Sequence, residues 1–443
     1  MPIAALALAV LVAAGTFPTP PPDTKPEVVP GRFAVATPFA PPRAGEAVLG
    51  FTVFDGPVTD DPQREAELLS RDLGSTVVPV VMYEMFDQSE PRFEDQWALR
   101  NLGQSGGTPG ADIGAVETWR WHQGGGSVIA VIDSGIDADH IELASRVWSN
   151  PGEIAGNGVD DDSNGYVDDT AGWDFTSNDP DPDDTVGHGT AVASVVVAAV
   201  NQDGMTGVAP QAQVMALKAC GAVGCPADSV AEAIVYAVDN GADAINISLG
   251  APGIEPLVAA GIEYAEAHDV LVVAAAGNDG VVVDDANPWT PASIESPVLI
   301  SVAWTTDSDT LADSSNRGPT KIELAAPGDN ILTATLGGGY AFRSGTSYAA
   351  PHVAGVAALM AQANPTLGGQ QAKSLLTTWA ATLKALDGSV AGSRRLASVQ
   401  SVQASRFSDI PMSVFADDVM WADAEDVTRG CGPALFCPDG SLT

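Results

Sequence analysis

The sequence predicts an α/β protein with a mostly parallel sheet and helices on both faces. Between Ser127 and Ala391, short apolar runs alternate with helical patterns. Continuous apolar runs are typical of strands that are buried on both faces, as parallel strands are when helices cover the sheet. At 443 residues the chain is long enough for two or three compact units.

Five apolar runs are the strand candidates, and four helical patterns accompany them. The strand candidates are Val128–Ile132, Val214–Leu217, Ala244–Ser248, Val270–Ala275 and Val298–Val302. The helical patterns lie near 189–200, 228–239, 256–267 and 348–362. Functional residues of such sheets collect outside the carboxyl ends of the strands. Polar side chains that directly follow these runs are therefore the first candidates for chemistry.

The first 31 residues have a different character from this main body. Ala4–Ala14 is almost wholly apolar, so residues 1–15 are predicted to be a signal peptide, although no Lys or Arg precedes Lys25. A disordered apolar tail is the alternative. Residues 16–31 are a Pro-rich linker. No later run in the sequence is long and apolar enough to span a bilayer.

Residues 32–94 are predicted to form a separate small α/β unit. Val48–Phe54 reads as a strand, Pro62–Leu73 as a helix that ends at Gly74, and Val77–Tyr83 as a second strand.

The chain is strongly acidic, with 57 Asp and Glu residues, 19 Lys and Arg residues, and a formal net charge of −38. Such a field repels phosphate groups, so we expect no nucleic-acid partner. The charge fits a soluble secreted protein, a protein that binds cations, or one from a saline habitat. Composition does not separate these three.

The four cysteines fall into two close pairs, Cys220/Cys225 and Cys431/Cys437. An even number of cysteines at short spacing in an exported protein predicts two local disulfides. A zinc site is the alternative, but no histidine lies near either pair and the pairs are far apart in the sequence.

Three polar residues occupy positions suited to nucleophilic catalysis. Asp133 directly follows the run Val128–Ile132, and His188 stands between two glycines where a helical pattern begins. Ser347 follows Gly345 at the N-terminus of a long apolar helix, where the helix dipole favours negative charge. Taken singly, each has an ordinary structural role, as a turn residue, a surface histidine or a helix N-cap.

Four segments around these residues resemble the sequence blocks of the subtilisin family. The segments are Val131–Ile136, Gly187–Thr190, Ala274–Asn278 and Gly345–Pro351, in the family's Asp, His, Asn, Ser order. The resemblance covers roughly residues 95–398, which are thereby identified as a subtilisin-like peptidase domain. It implies the α/β fold of that family.

The resemblance implies a serine endopeptidase with an Asp-His-Ser triad and an acyl-enzyme intermediate. Ser347 would attack the peptide carbonyl, His188 would transfer the proton, and Asp133 would orient the imidazole. Asn278 and the backbone N–H of Ser347 would bind the oxyanion. A catalytically silent surface adhesin of this fold and a calcium-binding structural protein are the alternatives. The four intact positions favour the enzyme.

Small residues at two neighbouring strand ends predict a slot for protein or peptide substrates. The residues are Ser248, Leu249 and Gly250 in one segment and Ala275, Ala276 and Gly277 in the other. In the family, the substrate pairs as an added strand with the first segment, and the second walls the primary pocket. Apolar walls predict tolerance for apolar or large P1 side chains.

The Asp-rich segment 157–169 matches the first part of an EF-hand calcium loop. The candidate ligands are Asp160, Asp162, Asn164, Tyr166 and Asp168. With Asp160 as position 1, Gly165 at position 6 permits the sharp turn. Position 12 is Ala171 in place of the bidentate Glu, and Asp169 at position 10 offers a substitute. The alternative is a solvated acidic loop in an acidic chain.

A second structural calcium is implied by the resemblance alone. In the family, a loop at the position of Asn201–Gly207 binds an ion together with a carboxylate nine residues after the catalytic Asp and an N-terminal side chain. Here the carboxylate would be Glu142, and the N-terminal side chain would be Asp95 or Gln96. Asn201 and Glu142 are therefore candidate ligands.

The regions on either side of the peptidase domain are assigned by location and resemblance. Residues 32–94 are similar to a subtilisin propeptide, which aids folding and inhibits the enzyme, so we expect cleavage between Tyr83 and Asp95. Residues 405–443 are similar to the start of an S-layer homology type module, which would bind a cell-wall polymer. We expect a secreted, monomeric zymogen that associates with the cell surface.

Overall fold

The chain divides into two compact units, Met1–Met85 and Phe86–Thr443. The computed structural model describes residues 90–406 of the second unit and three strands of the first. The predicted signal peptide, the predicted helix Pro62–Leu73 and everything after Arg406, including Cys431 and Cys437, lie outside the described residues.

The described part of the first unit is an antiparallel three-stranded sheet. Its strands are β1 (Val28–Ala36), β2 (Phe51–Asp55) and β3 (Val77–Val81), in the order β2-β1-β3. The second and third strands were predicted. The first was missed, and it begins inside the predicted linker, because Pro30 and Gly31 interrupt its apolar pattern. Its pairing with β3 is irregular between Val28 and Phe33.

The second unit is built on a nine-stranded sheet within residues 90–406. The strands are β4 (Val128–Asp133), β5 (Gly172–Asp174), β6 (Gln213–Lys218), β7 (Ala244–Ile247), β9 (Leu271–Ala275), β11 (Leu299–Thr305), β12 (Leu324–Pro327), β15 (Ala381–Thr382) and β16 (Arg394–Arg395). Their order is β15-β16-β12-β11-β9-β7-β4-β6-β5, and every pair is parallel except β15 with β16. The mostly parallel sheet is as predicted.

Two short antiparallel pairs lie outside this sheet. They are β8 (Ala251–Pro252) with β10 (Trp289–Thr290), and β13 (Ile331–Thr335) with β14 (Gly339–Arg343). Neither was predicted.

The described α-helices include the four that the sequence predicts between Ser127 and Ala391. They are α1 (Ala115–Thr118), α2 (His188–Val197), α3 (Ala227–Asp239), α4 (Pro256–Ala267), α5 (Thr346–Ala363), α6 (Gly369–Thr378) and α7 (Ser398–Arg406). Among the described residues, none of these helices is long and apolar enough to cross a membrane.

The helices cover both faces of the sheet because its strands are apolar on both sides. Along β4, Ile129 and Val131 belong to one buried cluster, which also contains residues of α2, α5, α6 and α7. Ala130 and Ile132 belong to a second cluster, with residues of α3 and α4. The alternation of side chains along a strand therefore places one core on each face.

The packed body is larger than the predicted domain at both ends. Glu90 is buried and accepts hydrogen bonds from the backbone of the loop near residue 201, and α7 extends the packed structure to Arg406. The predicted bounds 95–398 therefore omit residues that belong to this body.

Candidate active site

Asp133 and His188 meet where a strand ends and a helix begins. Asp133 is the last residue of β4, and His188 is the first residue of α2. Nδ1 of His188 lies 2.8 Å and 3.0 Å from the two carboxylate oxygens of Asp133. The Asp133 side chain is buried at 3% exposure, whereas that of His188 is 34% exposed. The ring thus keeps one nitrogen on the buried carboxylate while part of it remains accessible.

A network of hydrogen bonds holds this junction together. The Asp184 carboxylate accepts from Ser134 Oγ and from the backbone N–H and hydroxyl of Thr190. Ser134 Oγ in turn accepts from the N–H of Gly189. A Cβ on Gly189 would collide with the carbonyl of Gly135, so the close approach of helix to strand requires glycine there. Sequence reasoning missed Asp184 and Ser134, because turn residues of this kind are common.

The pKa of His188 is raised above its usual value. Burial of the ring acts in the opposite direction, but the charge of Asp133 and its hydrogen bond to the ring outweigh it. The carboxylate therefore favours the imidazolium, which is the form that a general base reaches when it takes a proton.

Ser347 is the second residue of α5, and its turn is set by Gly345, whose φ of 144° suits glycine. The Ser347 hydroxyl donates to the carbonyl of Ser248 at 3.2 Å. The Ser347 carbonyl accepts from Ser248 Oγ at 3.0 Å. That carbonyl needs an outside donor because Pro351, four residues on, has no N–H to donate within the helix.

The helix start that carries Ser347 lies beside the imidazole. The ring of Tyr348 has its centroid 5.9 Å from that of His188. Within the described residues, no hydrogen bond joins Ser347 directly to His188. Such bonds are often long in substrate-free enzymes and form in the complex.

Asn278 is held with its amide nitrogen outward. Its Oδ1 accepts from the N–H of Thr346 at 2.9 Å and from the Thr346 hydroxyl at 3.1 Å. Asn278 is an exposed residue, and its NH₂ group is left available beside Ser347. The N–H groups of a first helical turn have no partner within their own helix. Two donors are therefore available for a negative oxygen near the Ser347 hydroxyl. Thr346 was not singled out from the sequence.

The two predicted substrate segments are neighbours in the fold. They follow β7 and β9, which pair in parallel with Ile247 opposite Ala274. The Ser248 carbonyl contacts Ser347, and the N–H of Gly277 donates to Thr346 Oγ1 at 3.2 Å. Both segments therefore border the turn that carries the candidate nucleophile, as the predicted slot requires.

Residues 124–400 match the model of the subtilase family, Peptidase S8. This chain belongs to the subtilase family.

Named relatives of this subtilase are serine proteinases. A thermophilic serine proteinase from Bacillus sp. (strain AK1) is 38% identical over 238 residues, which are 53% of this chain and 52% of that protein. Thermitase from Thermoactinomyces vulgaris is 35% identical over 251 residues, which are 56% of this chain and 80% of thermitase. The chain thus spans about half the length of the first relative.

Solved structures agree with the fold. A protease from Pseudoalteromonas arctica PAMC 21717 aligns with a TM-score of 0.59 and 26% identity, over 72% of this chain and 99% of that one. A cold-adapted subtilisin-like serine proteinase aligns with a TM-score of 0.52 and 31% identity, over 62% of this chain and 90% of that one. These likenesses support the α/β fold, and both solved proteins are named as proteases.

The acidic loop of this subtilase brings three carboxylates together. Oxygens of Glu153, Asp160 and Asp162 all lie within 4.8 Å of one another. Glu153 was missed from the sequence, because it precedes the EF-hand-like pattern and reaches the cluster when the loop folds back. Three converging carboxylates fit a hard cation such as calcium.

The remaining predicted ligands of this loop have other partners. The Asp168 carboxylate is not among the three that converge, and it accepts from the N–H groups of Asn157 and Gly158. The ring of Tyr166 packs edge-on against Trp173, and Asn164 Oδ1 accepts from the Tyr166 N–H. Of the carboxylates in the EF-hand-like pattern, Asp160 and Asp162 converge with Glu153, and Asp168 stays a predicted ligand.

The substitute carboxylate proposed for position 10 also has another role. Asp169 is fully buried and accepts from the hydroxyl of Tyr236 at 2.5 Å and from the side-chain amide of Asn150 at 3.0 Å. It anchors the base of the loop to α3.

At the second predicted calcium position, N–H groups of the protein donate to two carboxylates. The N–H groups of residues 201, 202 and 204 donate to Glu90, and that of Met205 donates to Glu142. Glu142 also accepts from Tyr340 at 2.6 Å and from Asn201 Nδ2 at 3.2 Å. Burial raises the pKa of Glu142, and the charge of Glu90 adds to this. Glu142 and Asn201 lie together as expected, and a calcium ion at this position stays a prediction.

The first cysteine pair forms the predicted disulfide. Cys220 and Cys225 are joined, with an S–S distance of 2.07 Å, which excludes zinc at this pair. The N–H groups of Ala219 and Cys220 both donate to the carbonyl of Asp133. The cross-linked loop therefore begins directly beside the end of β4 that carries Asp133.

Proposed function

We propose that this chain is a secreted serine endopeptidase that is made as a zymogen and stabilised by calcium. The observation that carries the proposal is the Asp133–His188 pair beside the turn of Ser347, with Asn278 fixed by Thr346. The substrates are proteins or peptides bound as an added strand along residues 248–250.

Each residue has one chemical task. Ser347 Oγ attacks the peptide carbonyl while His188 Nε2 takes its proton, because a neutral serine hydroxyl is a weak nucleophile. Asp133 accepts the hydrogen bond from the Nδ1–H of His188 and stabilises the imidazolium. The negative oxygen of the tetrahedral intermediate is bound by the amide of Asn278 and the N–H of Ser347. His188 then protonates the leaving amine, and water hydrolyses the acyl-enzyme.

Calcium is proposed at the cluster of Glu153, Asp160 and Asp162. Between Arg146 and Lys218 the chain has no Lys or Arg to pair with the loop's carboxylates. A bound cation would offset their mutual repulsion and order the segment. The ion has no part in the reaction.

The flanking regions complete the proposal. Residues 32–94 act as the inhibitory propeptide, and residues 405–443 bind a cell-wall polymer and retain the monomeric enzyme at the cell surface. The proposal for these regions is supported by their position on either side of the subtilase body and by the sequence resemblance.

A fluorophosphonate probe with the full chain tests the proposal. The wild type should be labelled and should hydrolyse an unfolded protein, whereas Ser347→Ala should do neither. Ser344→Ala is the matched control, because Ser344 is an exposed serine three residues away that donates to Asp329. Absence of labelling in the folded wild type would favour the rival, a silent adhesin of the same fold.

A further inference from the structure

We infer that Trp289 fills the slot between residues 248–250 and 275–277 and restricts the P1 position of the substrate to small side chains. The inference rests on the proposed endopeptidase function and specifies its substrate class. The inference contradicts the expectation, drawn from the apolar walls in the sequence, that the slot tolerates large P1 side chains.

The position of the indole follows from the two glycines that border the slot. A Cβ built on Gly250 would lie 2.7 Å from Trp289 Nε1 and 3.2 Å from Cδ1. A Cβ built on Gly277 would lie 2.8 Å from Trp289 Cε2 and 2.9 Å from Nε1. The five-membered ring of Trp289 is therefore in contact range of both backbones. It occupies the space between the strand ends where a long P1 side chain would be placed.

The slot is the one that borders the candidate nucleophile. Its first wall contacts Ser347 through the Ser248 carbonyl, and its second wall contacts Thr346 through the Gly277 N–H. A peptide whose carbonyl lies at Ser347 would thus direct its P1 side chain towards Trp289.

Trp289 is fixed in this place by its backbone and by its packing. Its N–H donates to Ser293 Oγ at 2.7 Å, and its carbonyl accepts from the Ser293 N–H at 2.7 Å. It pairs with Pro252 across β8 and β10. The ring packs against a buried cluster that includes Ala276 and Ala292. A substrate side chain would have to disrupt these contacts to displace the indole.

The indole also leaves a polar group in the slot. Trp289 Nε1 is buried and has no hydrogen-bond partner among the described residues. Buried donors in proteins are nearly always paired, so this one marks how closely the slot walls enclose the indole. A serine side chain is nearly as small as that of alanine, so serine joins glycine and alanine as an expected P1 residue.

The test uses four peptides that differ only at P1, with Ala, Ser, Leu or Phe. Discrimination by one methylene group in an apolar pocket is about 10–200-fold. We therefore expect kcat/KM of the wild type to be at least about 10²-fold higher for Ala and Ser than for Leu and Phe. Equal or faster cleavage after Leu or Phe would overturn the inference and leave the endopeptidase intact. Absence of both cleavage and fluorophosphonate labelling would overturn the proposed function and the inference with it.

A variant assigns the effect to the indole. Trp289→Gly should raise the Phe/Ala ratio of kcat/KM by about 10²-fold. Trp379→Ala is the matched control, because Trp379 is a half-buried tryptophan after α6, outside the slot. The Phe/Ala ratio of kcat/KM in this control should equal that of the wild type. An unchanged ratio in folded Trp289→Gly would refute the assignment. If that variant does not fold, the Ki values of peptide boronic acids with Ala or Phe at P1, measured on the wild type, decide the question. Tighter binding of the Phe inhibitor would refute the inference that Trp289 restricts P1.

Discussion

Thr346 offers a sharp test of how the oxyanion donor is positioned, because its hydroxyl can be removed with little change in shape. The side chain is fully buried, and its Oγ1 both donates to Asn278 Oδ1 and accepts from the Gly277 N–H. In Thr346→Val, Asn278 keeps one of its two hydrogen bonds, the one from the Thr346 backbone at 2.9 Å. We expect kcat to fall while KM changes little, since the oxyanion exists only after attack.

The size of the fall follows from the number of bonds lost. One hydrogen bond contributes about 0.5–1.5 kcal/mol, so the weakened restraint on Asn278 should reduce kcat about 2–13-fold. Asn278→Ala sets the upper limit, since loss of such a donor in a subtilisin reduces kcat about 10²–10³-fold. The Gly277 N–H also loses its acceptor in Thr346→Val, which should lower stability by about 1–3 kcal/mol.

Steady-state kinetics on four variants separate positioning from damage to the fold. Thr346→Ser keeps the hydroxyl and should retain most of the wild-type kcat. In the Asn278→Ala background, Thr346→Val should have less than about a twofold further effect, because its partner is gone. If kcat falls in that background by the same factor as in the wild type, or if only KM changes, Thr346 does not act through Asn278.

Three further predictions concern protonation, calcium and maturation. Because the pKa of His188 lies above its usual value of 6.5, kcat/KM should fall on the acid side of a midpoint above pH 6.5. In Asp133→Asn the midpoint should move to lower pH and kcat should fall about 10⁴-fold. A midpoint that does not move in this variant would contradict the prediction. EDTA should lower the Tm, since a ligand at a hundredfold excess over its Kd stabilises the folded state by about 2.7 kcal/mol. Asp160→Asn or Glu153→Gln should reduce that Tm shift without changing kcat at saturating calcium. A Tm that EDTA does not change would rule out the calcium site. The mature N-terminus should lie between Tyr83 and Glu90, because the buried carboxylate of Glu90 accepts hydrogen bonds from three backbone N–H groups. A mature chain that N-terminal sequencing shows to begin after Glu90 would contradict this prediction.

The candidate catalytic residues could be singled out from the sequence because each stands where an apolar run changes character. Asp133 closes a strand, and His188 and Ser347 open helices, so local pattern and glycine spacing mark all three. The residues that hold them were not predictable in this way. Thr346 and Asp184 act through contacts whose partners are fixed only by the folded turn.

The acidic loop shows the limit of a linear pattern. An EF-hand match assumes that alternate residues face one centre, yet Asp168 has a φ of 59° and turns its carboxylate towards residues 157 and 158. Glu153 reaches the cluster from outside the motif. Trp289 was missed for a related reason, since its place in the slot depends on the pairing of β8 with β10, which lie far apart in the sequence.

The depth of the helix that carries Ser347 has a consequence for how activity is lost. Of the 18 residues of α5, 15 are buried, on both the sheet side and the side that faces α2 and α7. Amide groups in such a helix exchange with solvent only when the whole cooperative unit opens, not through local fraying. We therefore expect the candidate nucleophile to be carried by one of the last parts of the body to open. On heating, the fraction of active molecules should fall in parallel with the exchange protection of the slowest-exchanging amides of α5. Residual activity would then measure the fraction of molecules that have not unfolded globally.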